Sequence, residues 1–88
     1  LVWIVEYLPK AEKDLRKLDK SIQQEITDYM EKRIVASGSP EQFGKPLRYD
    51  KAGLWRYRVR DYRIVCQLQG RKMVVLVIAV GHRKGIYD

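Results

Sequence analysis

The spacing of apolar residues changes more than once along this chain. Residues 2–7, VWIVEY, are mostly β-branched or aromatic and read as a strand. The interval then becomes three and four: Leu8, Ala11, Leu15 and Leu18 mark one face of a short helix over 9–19, with Pro9 tolerated in its first turn. The stretch from Ser21 to Gln24 has the form of a capping box and predicts the start of a second helix. Its stripe is Ile22, Ile26, Tyr29, Met30, Arg33 and Ile34, all core contacts except Arg33. Gly38 and Pro40 end it. Residues 37–53 follow neither period and read as a loop or a loosely extended crossing. Alternation returns in three strands, 54–60, 62–69 and 72–80, joined by turns at Asp61 and at Gly70-Arg71. The run MVVLVIAV is apolar on both faces and is predicted to be the central strand, covered by the helix pair on one side.

The order β-α-α-β-β-β over residues 1–88 predicts a single α+β domain: two helices packed on one face of a curved, mainly antiparallel sheet. No run of 18 apolar residues exists, so no membrane span is expected. The segment LVWIVEY lacks the basic flank and cleavage site of a signal peptide. Cys66 is the single cysteine, which fits a reducing cytoplasm; alternating with Ile64 and Leu68, it reads as a small buried hydrophobe. One histidine, one cysteine and scattered acids give no zinc-ligand spacing, and no cofactor is expected.

Charge adds what periodicity does not show. Residues 1–43 carry 7 Lys/Arg against 8 Asp/Glu, a net of −1, whereas residues 44–88 carry 11 against 3, a net of +8. Segregation of this kind points to a polyanionic partner: nucleic acid first, an acidic protein segment second. Within the basic half, Arg56 and Arg58 alternate with Trp55, Tyr57 and Val59, so the two arginines share one sheet face. Tight antiparallel pairing brings Arg63 beside Arg58. The stretch 81-GHRKGIY-87 then sets His82, Arg83 and Tyr87 near the same end. The result is a concave cationic site with an imidazole and a phenol at its rim; the alternative is a merely solvated sheet face.

Taken together, KPLRYDKAGLWRYRVRDYRIVCQL and VLVIAVGHRKGIY resemble the RelE/ParE toxin superfamily, specifically its RelE branch of messenger-RNA interferases. The combination of a Leu-Arg loop, a W-R-x-R strand, a D-Y-R strand start and a G-H-R-K-x-x-Y ending carries the likeness along essentially the whole chain. It implies the RelE-like microbial RNase fold and the toxin of a type II toxin-antitoxin system. Such a toxin cleaves messenger RNA in the ribosomal A site without metal or cofactor, inhibiting translation and arresting growth. It implies a RelB-like antitoxin with an acidic inhibitory segment as partner, and contact with operator DNA only through that antitoxin. By the same resemblance, Arg63 and Arg83 bind phosphate and stabilise the transition state, Arg48 is an RNA-binding loop arginine, and Tyr87 stacks on substrate. Arg60, Lys45 and Lys84 add RNA-binding charge. Arg56 and Arg58 stand where the best-known members carry two catalytic lysines, a departure, since arginine does not give up its proton near neutrality. His82 either transfers a proton or braces Arg83. The competing functions are a ParE-like inhibitor of gyrase and a non-catalytic toxin that only binds ribosome, RNA or antitoxin.

Overall fold

A computed structural model describes residues 2–47 and 53–82. In chain order they form β1 (Ile4–Tyr7), α1 (Pro9–Arg16), α2 (Lys20–Asp28), β2 (Lys45–Pro46), β3 (Leu54–Val59), β4 (Tyr62–Gln69) and β5 (Val74–His82). The strands make one sheet in the order β1-β5-β4-β3-β2. Only β1 and β5 run parallel; the other three pairings are antiparallel. The α+β arrangement is as expected, but the middle strand is β4. β5 is internal and lies one place toward the β1 edge, because β1 adds beside it. Among the described residues no helix is long and apolar enough to cross a membrane.

The core lies between the helices and one sheet face. Ala11 and Leu15 of α1, Ile26 of α2, and Met30 and Ile34 beyond it pack on Tyr57, Val59, Ile64, Cys66, Val75, Val77 and Val80. Pro9 opens α1, where its missing N–H costs nothing. The second helix departs from the expected cap: Asp19 is its N-cap residue, without a side-chain hydrogen bond, and Ser21 lies inside the first turn. Gln23 instead donates its side-chain N–H to the Leu18 carbonyl (2.8 Å). Beyond Asp28 the winding loosens to a π-helical segment, Tyr29–Ile34, and then tightens to 3-10 over Val35–Ser37. Gly38 stops it at φ +77°, a conformation without penalty for glycine.

Two features of the sheet depart from simple alternation. First, β5 holds an extra residue: Val65 pairs with Ala79 and Cys66 with Val77, leaving Ile78 bulged. Val77 and Val80, three apart, can therefore both face the helices. Second, residues 37–47 are more ordered than the expected loop: a 3-10 turn at Pro40–Gln42 leads into β2, which pairs Lys45 with Arg56 and Pro46 with Trp55. Helix α1 also completes the ladder where β1 stops. The Asp14 carboxylate accepts the backbone N–H of Val80 (3.0 Å) and the Lys10 ammonium (2.7 Å).

Candidate functional site

Strand periodicity determines which side chains meet on the sheet face that the helices leave open. On β3, Trp55, Tyr57 and Val59 turn to the core, so Arg56 and Arg58 turn away from it. Across the two-residue turn Arg60-Asp61, Arg58 stands directly opposite Arg63. On the other side of β3, Lys45 stands directly opposite Arg56. Facing pairs of this kind put Cβ atoms about 4.5–5.5 Å apart. Four cations from three strands thus adjoin one another. They line a pocket of about 360 Å³ together with Gly44 and Tyr57, and among the described residues no carboxylate lines it. Gly81 faces Arg63 and Ala79 faces Val65, so small residues continue this face across β5.

The pocket's far wall is held in place by aromatic side chains. The Trp55 indole N–H donates to the Phe43 carbonyl (2.6 Å), and the Tyr57 hydroxyl donates to the Pro40 carbonyl (2.8 Å). The Arg33 guanidinium lies over the Phe43 ring, 5.3 Å from its centroid. Gly44 sits at φ +66°, and a Cβ there would fall 2.1 Å from the Arg56 carbonyl oxygen. Only glycine allows the chain to approach β3 so closely.

The expected site residues separate into three groups. Arg56, Arg58, Arg63 and Lys45 come together in the pocket. Arg58 also donates from Nε to the Arg60 carbonyl (2.9 Å), and its guanidinium comes within 4.0 Å of exposed Asp61. Arg60 and His82 are placed elsewhere. The Arg60 Nε donates to both carboxylate oxygens of Glu25 on α2 (2.8 and 2.9 Å), which raises its pKa further; its charge is directed at a helix and not into the pocket. Arg60 adopts φ +54° at the turn, a position that favours glycine. His82 extends β5 and pairs with Tyr62, their rings meeting edge to face at 5.9 Å. Tyr62 packs against the core, so His82 lies on the helix side, opposite to Arg63. The expectation that the imidazole rims the arginine site is corrected here: Gly81 takes the position facing Arg63, and alternation turns the next residue over. Arg48, Arg83, Lys84 and Tyr87 lie outside the described residues.

Two other titratable groups near the strands are poor reactants. Burial pushes up the pKa of the Tyr57 hydroxyl, with Cys66, Tyr29 and Glu41 adding to the rise. Burial alone pushes up the Cys66 thiol, which keeps it protonated and unreactive. Sequence reasoning missed Gly44 and the polar tips of Trp55 and Tyr57. The available signal was Gly44-Lys45-Pro46 itself, since a glycine before a short proline-bearing edge strand marks close backbone approach.

The site sits on a small α+β fold with a guanidinium-rich sheet face, and comparison with known chains makes the family specific. Residues 5–87 match the family described as "ParE toxin of type II toxin-antitoxin system, parDE", and the chain belongs to that RelE/ParE toxin family. Toxin RelG of Mycobacterium tuberculosis is 29% identical over 85 residues, covering 97% of this chain and 95% of that protein. A chain of the M. tuberculosis RelBE2 toxin-antitoxin complex superposes with a TM-score of 0.83 at 26% identity, covering 94% of this chain and 93% of its own. A chain of the intact Escherichia coli RelBE complex gives 0.72, also at 26% identity, covering 91% and 95%. The chain is a type II toxin of the RelE/ParE family.

Proposed function

We propose that this toxin is a ribosome-dependent, metal-independent endoribonuclease that cleaves messenger RNA in the A site. The observation that carries this reading is the pocket where Arg56, Arg58, Arg63 and Lys45 converge, four cations from three strands. Like charges facing each other across strands are destabilising, so a ligand that neutralises several at once gives the arrangement its use. A phosphodiester entering its pentacovalent state becomes a dianion, and guanidinium forks match phosphate oxygens in both shape and charge. In the reaction the RNA's own 2′-oxygen attacks the adjacent phosphorus and expels the 5′-oxygen. Arg63 and Arg58 hold the equatorial oxygens from facing strands, while Arg56 and Lys45 orient the backbone for in-line attack. Arg83 and Tyr87 are assigned the remaining clamp and base-stacking roles on the strength of the family resemblance, with Arg48 and Lys84 as outer RNA contacts.

The partners follow the same reading. The structures of related chains are toxin-antitoxin complexes, and the counterpart for this chain is a RelB-like antitoxin whose acidic segment covers the 54–68 hairpin or displaces the C-terminal end. Operator DNA is contacted only through it, and the setting is cytoplasmic. A second reading comes from the family description, which names ParE: inhibition of gyrase without RNA chemistry. Purified protein incubated with programmed ribosomes, with messenger 5′ ends mapped, separates the two. Cuts in the A-site codon support the nuclease. Inhibition of supercoiling without cuts supports the gyrase reading and defeats the first.

A further inference from the structure

We infer that Lys45 is the general acid of the cleavage step, donating a proton from its ammonium group to the departing 5′-oxygen. The inference rests on the nuclease reading and adds to it a chemical role for a side chain so far given only a charge. As the 2′-oxygen forms its bond to phosphorus, the phosphorus–5′-oxygen bond breaks and its electron pair goes to the 5′-oxygen. That oxygen needs a proton. The hydroxyl proton of the nucleophile is released to solvent, Lys45 protonates the leaving oxygen, and the neutral amine recovers its proton from solvent. The products are a 2′,3′-cyclic phosphate and a 5′-hydroxyl, and nothing is oxidised or reduced.

The composition of the pocket wall singles out this residue. Its described lining is Gly44, Lys45, Arg56, Tyr57, Arg58 and Arg63. Gly44 has no side chain, and guanidinium groups do not release protons at neutral pH. The Tyr57 hydroxyl is committed to the Pro40 carbonyl in a residue 1% exposed. His82, the side chain otherwise suited to proton transfer near neutrality, contacts Tyr62 on the opposite face. Among the described residues that line the pocket, Lys45 alone both reaches it and can exchange a proton.

Placement supports the same assignment. An exposed lysine on a loop would wander, but the backbone here is fixed on both sides of Lys45. Before it, Gly44 lies against the Arg56 carbonyl, behind the Trp55–Phe43 and Tyr57–Pro40 hydrogen bonds. After it, Leu47 donates its N–H to the Leu54 carbonyl (3.1 Å). Lys45 is thereby held directly across from Arg56, beside the groups that grip the phosphate. Preorganisation of this kind is what proton transfer in a transition state requires.

Single-turnover cleavage on programmed ribosomes tests the inference, using wild type and Lys45→Arg with two messengers. One messenger is ordinary; the other carries a 5′-bridging sulfur at the A-site scissile phosphate, whose thiolate departs without protonation. Lys45→Arg keeps the positive charge on a side chain of similar reach, so the salt dependence of RNA binding should stay unchanged. On the ordinary messenger the variant should lose ~10²–10⁴-fold in rate, the usual contribution of a general acid. On the sulfur-bridged messenger it should cut as fast as wild type. A variant that cuts both at the wild-type rate, or loses equally on both, overturns the inference while leaving the nuclease reading standing. A wild type that cuts neither messenger overturns both.

Discussion

Replacing Gly44 by alanine tests whether close approach of β2 to β3 builds the cationic pocket. An alanine there incurs two separate costs. The first is conformational: at φ +66° an L-residue is disfavoured by about 1–2 kcal/mol. The second is steric. The new Cβ would lie 2.1 Å from the Arg56 carbonyl oxygen and 2.8 Å from Tyr57 Cδ1, both impossible contacts, so the strands must separate. Separation gives up the Leu47–Leu54 backbone hydrogen bond and the Trp55–Phe43 bond, each about 1 kcal/mol net. The sum is about 3–4 kcal/mol, a large share of the 5–15 kcal/mol typical of a domain.

Gly38→Ala supplies an internal control. Gly38 has φ +77°, and a Cβ there would meet nothing within 4 Å, so it bears the conformational cost alone. Urea unfolding of both variants should show Gly44→Ala about 2 kcal/mol worse than Gly38→Ala, the value of the two lost hydrogen bonds. In thermal unfolding that difference is on the order of 8–16 °C for a domain of this size. Binding supplies a second readout. Because Lys45 leaves the pocket with β2, Gly44→Ala should lose one phosphate contact, a fall of about 0.7 in the salt slope for single-stranded RNA; Gly38→Ala should keep it. If the two variants unfold alike and bind alike, the contact between β2 and β3 is not what shapes the pocket.

Four further outcomes are expected. Arg56→Thr removes a cation facing Lys45 and adds a β-branched residue, so it should raise stability by about 0.2–1 kcal/mol while weakening RNA binding and its salt dependence. Arg63→Ala should cut single-turnover cleavage by about 10²–10³-fold, as for loss of one donor to a developing anion, whereas His82→Gln, on the opposite face, should leave the rate near wild type. Arg60→Gly relieves the φ +54° turn and breaks the Glu25 pair, and by RNA titration should weaken binding far less than Arg56→Thr. For Asp14, partial burial pushes the carboxyl up, but hydrogen bonds from Lys10 and the Val80 N–H, with the charges of Lys10 and Lys17, outweigh it and hold the pKa low. Its native pKa is therefore below the unfolded value of about 3.9, so its contribution is complete above that pH and vanishes as pH falls through the native value. Asp14→Asn should flatten the acid limb of a stability-versus-pH curve measured by urea unfolding.

Much of the fold was legible because it is written in local periods. The 3.6-residue spacing located both helices, and the two-residue spacing placed Arg56 and Arg58 together with Arg63 facing Arg58. Cys66, at 0% exposure, sits where alternation put it. What escaped has non-local causes. β2 is two residues long, one of them proline, and it exists only because Gly44 can lie against a strand whose partner residues come about ten positions later. The bulge at Ile78 is invisible in a run apolar on both faces, since no polar residue reports the slip. That slip, with the strand continuing two residues further than expected, decides that Gly81 faces Arg63 and that His82 turns away. The tip of a hairpin is equally unreadable from pattern: Arg60 continues the alternation of Arg56 and Arg58, yet its side chain meets Glu25, 35 residues earlier.

The same geometry explains how a chain with a net charge of +7 keeps its cations concentrated and still folds. Two cations pair with acids carried by the helices: Arg60 meets Glu25, and Lys10 meets Asp14. Both acids belong to the charge-balanced first half, so the helices neutralise their own side of the sheet. On the other side of the sheet, Asp61 reaches Arg58 at the edge of ion-pair range. Lys45 and Arg56 repel each other across one strand pair and Arg58 and Arg63 across the next, and water and salt screen that repulsion where the side chains are exposed. A bound phosphate backbone would replace water there and turn the repulsion into attraction. An acidic antitoxin segment would do the same without chemistry. On the proposed reading, one cationic surface would serve both the substrate and its inhibitor, and competition between them would follow from charge.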